Sequence, residues 1–321
     1  MQAERKQAFR PFKPDLDNAN VGIFIKARFS GYVIWHIRYF ILRKMFMLFE
    51  KIIENVRKTR PLVHCITNYV TVNDCANMLL ASGASPIMAD DIAEVEEVTS
   101  ICGALALNIG TLSERTIASM FRAGKKANEL GHPVVLDPVG AGASALRTDT
   151  AKSLLSEIRF AVIRGNISEI KTIASGSGTT QGVDANVSDA VTGGNLDLAV
   201  RFAKDLSARE GAVIAITGAI DIVADVKNAY CIKNGHPMMS RITGTGCMLT
   251  ALLAGFCGAN PNDTLDAAAA AVAAMGLCGE IAYEKTQGTG GGTGSFRMHL
   301  LDAMSQMDAK TLNGGLKIEF R

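Results

Sequence analysis

The 321-residue sequence holds no C-x-x-C pair, no close-set histidines and no excess of charge of either sign. Each lack excludes something. Seven cysteines (65, 75, 102, 231, 247, 257 and 278) are scattered and odd in number. That pattern fits reduced thiols in a cytoplasmic protein rather than a disulfide framework. The five histidines (36, 64, 132, 236 and 299) are equally dispersed, which argues against a His/Cys metal centre. Lys and Arg number 33 against 31 Asp and Glu, a net charge of +2, so there is no electrostatic footprint for nucleic acid. Heptad seams, acidic tails and repeats of 20–50 residues are also missing. Neither the G-x-x-x-x-G-K-[ST] nor the G-x-G-x-x-G phosphate signature occurs. Aromatic residues make up only 6%, with one Trp.

The scarce aromatics are unevenly placed. Ten of the 19 fall in the first 50 positions, with nine Lys/Arg against four Asp/Glu; the body is slightly acidic. A spanning helix needs about 18–20 apolar residues in a row. "GYVIWHIRYFILRKMFMLF" is broken by His36, Arg38, Arg43 and Lys44, so no membrane association through a span is expected. An export signal would place its charges before a short apolar core and end in small residues, which this head does not do. The expectation is that residues 1–46 form an extension outside the fold, disordered or peripheral, with a natural start at Met45 or Met47; a peripheral amphipathic helix is the alternative. Residues 47–321 then form a single domain.

The body is rich in what a large core requires, being drawn from a chain that is 48% hydrophobic with 31 glycines. From residue 61 short apolar strands alternate with helical segments. "PLVHCIT", "SPIMA", "GALALNIG", "PVVLD", "FAVIRGN" and "AVIAITG" read as strands. "VNDCANMLLASG", "ADDIAEVEEVTSIC", "SERTIASMFRAGKKANELG" and "NLDLAVRFAKDLSAREG" read as helices, several with Ser caps or Gly stops. "IDIVADV" and "NAYCIKNG" follow "AVIAITG" so closely that an antiparallel portion is expected. "CMLTALLAGFCG", "DTLDAAAAAVAAMGLCGEIAYEK" and "SFRMHLLDAMSQM" close the chain as helices, the Ala-rich run reading as a tightly packed core helix. The fold class is α/β, with a mainly parallel, mixed central sheet covered on both faces.

Ligands of open α/β sheets bind beyond the carboxyl ends of the strands. That rule selects Asn68, Met88, Asp137, Arg164, Thr217 and the turn Gly244–Cys247. "VGAGAS" and "TGTGC" are both candidate phosphate cradles, because glycines admit oxygens close to backbone N–H groups and a helix start adds partial positive charge. In "RGNISEI", Asn166 and Glu169 stand three apart at a helix start. With Asp137 they have the chemistry of a hydrated Mg²⁺ site, and equally that of a helix cap. Cys247 at a helix N-terminus is a nucleophile, a proton acceptor or a small wall residue. His64 reads as strand packing.

Taken together, "RPLVHCITN", "LLASGASPIMA", "LNIGTL", "VVLDPVGAGAS", "AVIRGNISEI", "AITGAIDIVAD" and "TGTGCMLT" resemble the hydroxyethylthiazole kinases of the ribokinase-like superfamily. These stretches run in order from about residue 60 to 300. The resemblance implies a three-layer α/β/α fold and Mg²⁺-dependent transfer of the ATP γ-phosphoryl group to a thiazole alcohol. Asn68, Met88 and Gly244 would then line the thiazole pocket, Arg164 and Thr217 would contact ATP, and Asp137 and Glu169 would organise Mg²⁺. Cys247 stands where most ribokinase-like enzymes place an aspartate base. A homotrimer with sites at subunit boundaries is also implied, and would account for the apolar, Ala-rich helix if that helix lay at a surface. Departures are "GTGSF" in place of "GPGSF" and Tyr69 where some members carry Asn. Other classes remain open: a cysteine hydrolase, which would need a histidine beside Cys247, and a nucleotide sensor without turnover.

Overall fold

A computed structural model describes residues 31–175 and 191–321, with side chains from Met45 onward. Residues 1–30, most of the expected extension, lie outside the described residues. The first described element, α1 (Gly31–Thr59), is one continuous helix that runs through the expected boundary at residue 46. Met45, Phe49, Ile52, Ile53 and Val56 recur at helical spacing and are buried, so Met45 already belongs to the core.

The strand–helix alternation then unfolds much as the apolar periodicity predicts. In chain order come β1 (Leu62–Ile66), α2 (Val72–Ser82), β2 (Ser85–Met88), α3 (Val95–Ile101), β3 (Ala104–Asn108), α4 (Glu114–Leu130) and β4 (Val134–Asp137). After these come α5 (Ala145–Glu157), β5 (Val162–Asn166), α6 (Ile167–Ala174), α7 (Leu196–Glu210), β6 (Val213–Thr217), β7 (Asp221–Ala224) and β8 (Ala229–Ile232). A 3₁₀ turn (Pro237–Arg241) leads into α8 (Thr245–Ala259), α9 (Thr264–Thr289), α10 (Thr293–Gln306), α11 (Ala309–Gly315) and β9 (Ile318–Phe320). The helix expected over "ADDIAEVEEVTSIC" begins only at Val95. Asp90 is held by Arg115, and Asp91 accepts from the Ala93 N–H, a turn that delays the first helical residue.

Among the described residues nine strands form one sheet in the order β2-β1-β3-β4-β5-β6-β7-β8-β9. The first six are parallel and the last three antiparallel, as the close-set strands after residue 212 led us to expect. Alternate strand residues feed two cores. Val63, Cys65, Ala104, Ala106, Val135 and Val162 face α1, α2, α8, α9 and α10. Leu105, Leu107, Val134, Leu136 and Ile163 face α4 to α7. This is a three-layer α/β/α architecture. α9 is long and apolar enough by composition to cross a membrane, but 78% of its apolar window is buried inside the protein. Its alanines sit in the core, not at a surface, so the Ala-rich helix needs no subunit contact to explain it. Small side chains let α8, α9 and the sheet approach closely: a Cβ on Gly276 would meet the Asn234 backbone at 2.6 Å.

The strand order reverses between β1 and β3. In sheets of this type the crevice beyond that reversal is where ligands bind; Asn68 follows β1 there and Asn108 ends β3.

Candidate active site

The carboxyl ends of β1, β3, β4 and β5 meet the start of α8, and their polar residues interlock. Asn68 and Asn108 both donate to Cys247 Sγ, at 3.1 and 3.3 Å. Asn108 Nδ2 also donates to Asp137 Oδ2 at 2.8 Å, and Asn68 Nδ2 to Asn108 Oδ1 at 3.1 Å. Asp137 is fully buried. Its Oδ2 accepts further bonds from Thr250 Oγ1 (2.9 Å) and from Arg164 Nη1 (3.4 Å). Burial raises the Asp137 pKa above the usual carboxylate range, an effect that Arg164, Thr250 and Asn108 oppose and Glu169 reinforces.

Arg164 is the hinge of the site. Nη2 donates to Thr217 Oγ1 at 2.7 Å, which fixes the guanidinium at the ends of β5 and β6. The same guanidinium lies over Gly246, where a Cβ would meet Nη1 at 2.5 Å. Arg164 lines two adjoining cavities, of about 370 and 530 Å³. The smaller is bounded by Asn68, Thr71, Arg147, Asn166, Glu169, Gly244 and Cys247. Thr217, Asp221, Lys233, His236, Thr245 and Gly246 bound the larger.

Between them lies the first turn of α8. Gly244 caps it with φ +89, a left-handed conformation in which glycine carries no steric penalty. Thr71 crowds it further: a Cβ there would meet Thr71 Cγ2 at 2.5 Å. The first intrahelical bond runs from the Met248 N–H to Gly244 O, so the amides of Thr245, Gly246 and Cys247 precede the helix's own hydrogen bonding. An anion cradle requires that arrangement.

Glu169 makes a capping box with Asn166. The Asn166 side chain accepts from the Glu169 N–H, and Glu169 Oε2 accepts from the Asn166 N–H at 2.8 Å. Its Oε1 accepts from the Gly140 N–H at 2.9 Å, tying the "VGAGAS" loop to the site. The cap and the pocket-lining carboxylate are thus one residue. Whether these groups suit a divalent cation turns on their free acceptors. Asp137 Oδ1 is buried without a hydrogen-bond partner, and Glu169 faces the smaller cavity. Among the described residues no group of three or more His, Cys, Asp or Glu forms an all-protein cage. The pair fits a hard cation that keeps its waters, as Mg²⁺ does.

Of the residues selected from sequence, Asn68, Asp137, Arg164, Glu169, Thr217, Gly244 and Cys247 converge here. Met88 does not. It is half-buried at the end of the edge strand β2 and lines neither cavity. The sequence reading missed Asn108, Arg147, Thr250 and Asp221. Asn108 ends β3 in register with Asp137, so the strand-end rule applied to "LALN" would have found it. Arg147 Nη2 donates to Gly110 O at 2.7 Å and turns a second guanidinium to the smaller cavity. His64 is buried between Thr99 and the Ala89 carbonyl, as packing predicts.

This site can be compared with those of known proteins. A family model described as "Hydroxyethylthiazole kinase family" matches residues 53–310. The hydroxyethylthiazole kinase of Clostridium acetobutylicum is 58% identical over 273 residues, 85% of this chain and 99% of that protein. That of Desulfovibrio desulfuricans is 53% identical over 272 residues, 83% of this chain and 95% of that protein. The solved structure of a hydroxyethylthiazole kinase from Pyrococcus horikoshii superposes with a TM-score of 0.75 at 35% identity, covering 85% of this chain and 98% of that one. By the family match, by these identities and by its fold, the chain belongs to the hydroxyethylthiazole kinase family.

Proposed function

We propose that this protein phosphorylates the primary hydroxyl of 4-methyl-5-(2-hydroxyethyl)thiazole with ATP, a step of thiamine salvage. The observation that carries the reading is the placement of Arg164 and the α8 amides between two adjoining cavities. The larger cavity takes the nucleotide and the smaller takes the alcohol, with the γ-phosphate at the α8 start.

Phosphoryl transfer asks the protein for positioning and charge stabilisation more than for covalent chemistry. The alcohol oxygen attacks the γ-phosphorus in line, the bond to the β–γ bridging oxygen breaks, and ADP leaves. The amides of Thr245, Gly246 and Cys247 stabilise the equatorial oxygens; one such donor is worth about 2.7–4 kcal/mol. Arg164, braced by Thr217 and Asp137, and Arg147, held by Gly110 O, flank the phosphates. The Cys247 thiolate, which accepts from Asn68 and Asn108, takes the hydroxyl proton late, when a loose transition state has already loosened it, and is left as the neutral thiol. Asp137 and Glu169 would hold Mg²⁺, which would supply neutralisation of phosphate charge.

Asn68, Met88 and Gly244 belong to the thiazole side. Met88 lines neither cavity within one chain and ends the edge strand β2, so its contact with the thiazole would be made across a subunit boundary, as in a homotrimer. Seven free thiols support a cytoplasmic setting. A cysteine hydrolase is disfavoured, because the hydrogen-bond partners of Cys247 Sγ are two asparagines rather than a histidine.

ADP release measured with ATP, Mg²⁺ and a panel of alcohols tests the proposal. The thiazole alcohol should give a kcat/KM well above those of hydroxymethylpyrimidine and simple sugars. Equal rates with all of them, or ADP release independent of alcohol, would refute it.

A further inference from the structure

Asn68 and Asn108 are buried at the strand-order reversal, and a buried amide has to place two donors and one acceptor. Backbone donors fix which way each amide points. The Gly110 N–H lies 2.9 Å from Asn108 Oδ1, and the Thr71 N–H lies 3.1 Å from Asn68 Oδ1. An N–H only donates, so the oxygen of each side chain must face it. Thr71 Oγ1 adds a second donor to Asn68 Oδ1 at 3.0 Å. Both NH₂ groups are therefore turned the other way. The hydrogens of Asn68 go to Asn108 Oδ1 and Cys247 Sγ. Those of Asn108 go to Asp137 Oδ2 and Cys247 Sγ. Neither amide keeps a hydrogen for a ligand, and both converge on one sulfur at the wall of the smaller cavity.

We infer that Asn108, together with Asn68, is a positioning residue that holds the Cys247 sulfur as a hydrogen-bond acceptor beside the reacting hydroxyl. Asn68, which also bounds the smaller cavity, then serves the reaction through Cys247 as well. The inference rests on the proposed role of Cys247 as proton acceptor. A purely structural network would satisfy the same buried amides, but it would act on stability and on every step alike. A positioning pair acts on turnover and only while the sulfur is present.

A double-mutant cycle separates the two. Wild type, Asn108→Ala, Cys247→Ala and the double variant are compared by ADP release with the thiazole alcohol, alongside thermal melts. Asn108→Ala should lower kcat about ten- to a hundredfold, with KM for ATP changed less than about twofold. In the Cys247→Ala background the same change should cost no further kcat. Losses that multiply would overturn the inference, assigning Asn108 to Asp137 or to the fold. If Asn108→Ala does not fold, Asn68→Asp enters the same cycle: it keeps an acceptor for Thr71 and removes one donor from the sulfur. A wild type that releases no ADP with the alcohol would remove the proposed function and this inference together; an active wild type with multiplying losses would remove the inference alone.

Discussion

Replacing Gly244 with alanine perturbs the anion cradle at its base. The position has φ +89, and a non-glycine residue in the left-handed region costs about 1–2 kcal/mol. The added Cβ would also meet Thr71 Cγ2 at 2.5 Å and Thr71 Cβ at 3.0 Å. Thr71 cannot simply swing aside, since its hydroxyl and its backbone N–H both bond to Asn68 Oδ1. Overpacking of this kind adds about 1–3 kcal/mol. Gly244→Ala should therefore lose about 2–5 kcal/mol of stability, and tilting the first turn of α8 should lower kcat/KM by about 10²–10³-fold through a misplaced donor. The two components can be told apart with Thr71→Ser, which removes Cγ2 but keeps the hydroxyl on Asn68. In the Gly244→Ala, Thr71→Ser double variant the Cγ2 clash is relieved while the 3.0 Å approach to Cβ and the backbone strain stay, so part of the loss returns and at least about 1–2 kcal/mol remains. Denaturant melts and ADP-release kinetics read both quantities. Near wild-type stability and kcat/KM in Gly244→Ala would refute the reasoning.

Other substitutions probe neighbouring parts of the site. Cys247→Asp should keep or raise kcat and Cys247→Ala should lower it moderately, because a carboxylate accepts the Asn68 and Asn108 donors and, though a weaker base than a thiolate, is fully ionised at neutral pH; total loss in both would favour a covalent thiol. Glu169→Gln should lose about 1 kcal/mol of stability, since the amide keeps one acceptor for the Asn166 and Gly140 N–H groups where the carboxylate has two; an unchanged melting temperature would contradict the cap. Burial pushes the Asp221 pKa up to about 7, against the Gly218 N–H and Arg164, which favour its anion. The native state thus holds a proton that the unfolded chain releases near 3.8. The associated stability is full at low pH and is lost as pH rises through about 7. Asp221→Asn should flatten that part of the stability profile, and should also flatten any rise in KM for ATP above pH 7 caused by a carboxylate in the larger cavity. Parallel profiles for variant and wild type from pH 5 to 8 would contradict it.

How far the sequence reached varies by element. Strands buried on both faces are near-continuous apolar runs, so β1, β3, β4, β5 and β6 were legible, and Ser113 and Gly131 marked both ends of α4. α5 was not read, because "ALRTDTAKSLLSE" buries only Thr150, Ala151 and Leu154 and so has no apolar stripe. β9 is three residues long and exists only through its pairing with β8. The strand-end rule found most of the site. It could not show that the Asn166–Glu169 pair is both cap and cavity wall, since one local geometry serves both. The rule also reaches Asn108 at the end of β3, but not what Asn108 does, which lies in a contact with Cys247, 139 positions away.

Phosphoryl transfer to the thiazole alcohol at the α8 start is the step on which every role assigned to the site depends. Phosphorus NMR of the wild-type protein with Mg²⁺, ATP and the alcohol measures this most directly. We predict one new thiazole monoester resonance for every ADP formed, and its loss in Gly244→Val. Formation of ADP with inorganic phosphate but no ester, or an ester formed equally well by Gly244→Val, would contradict it.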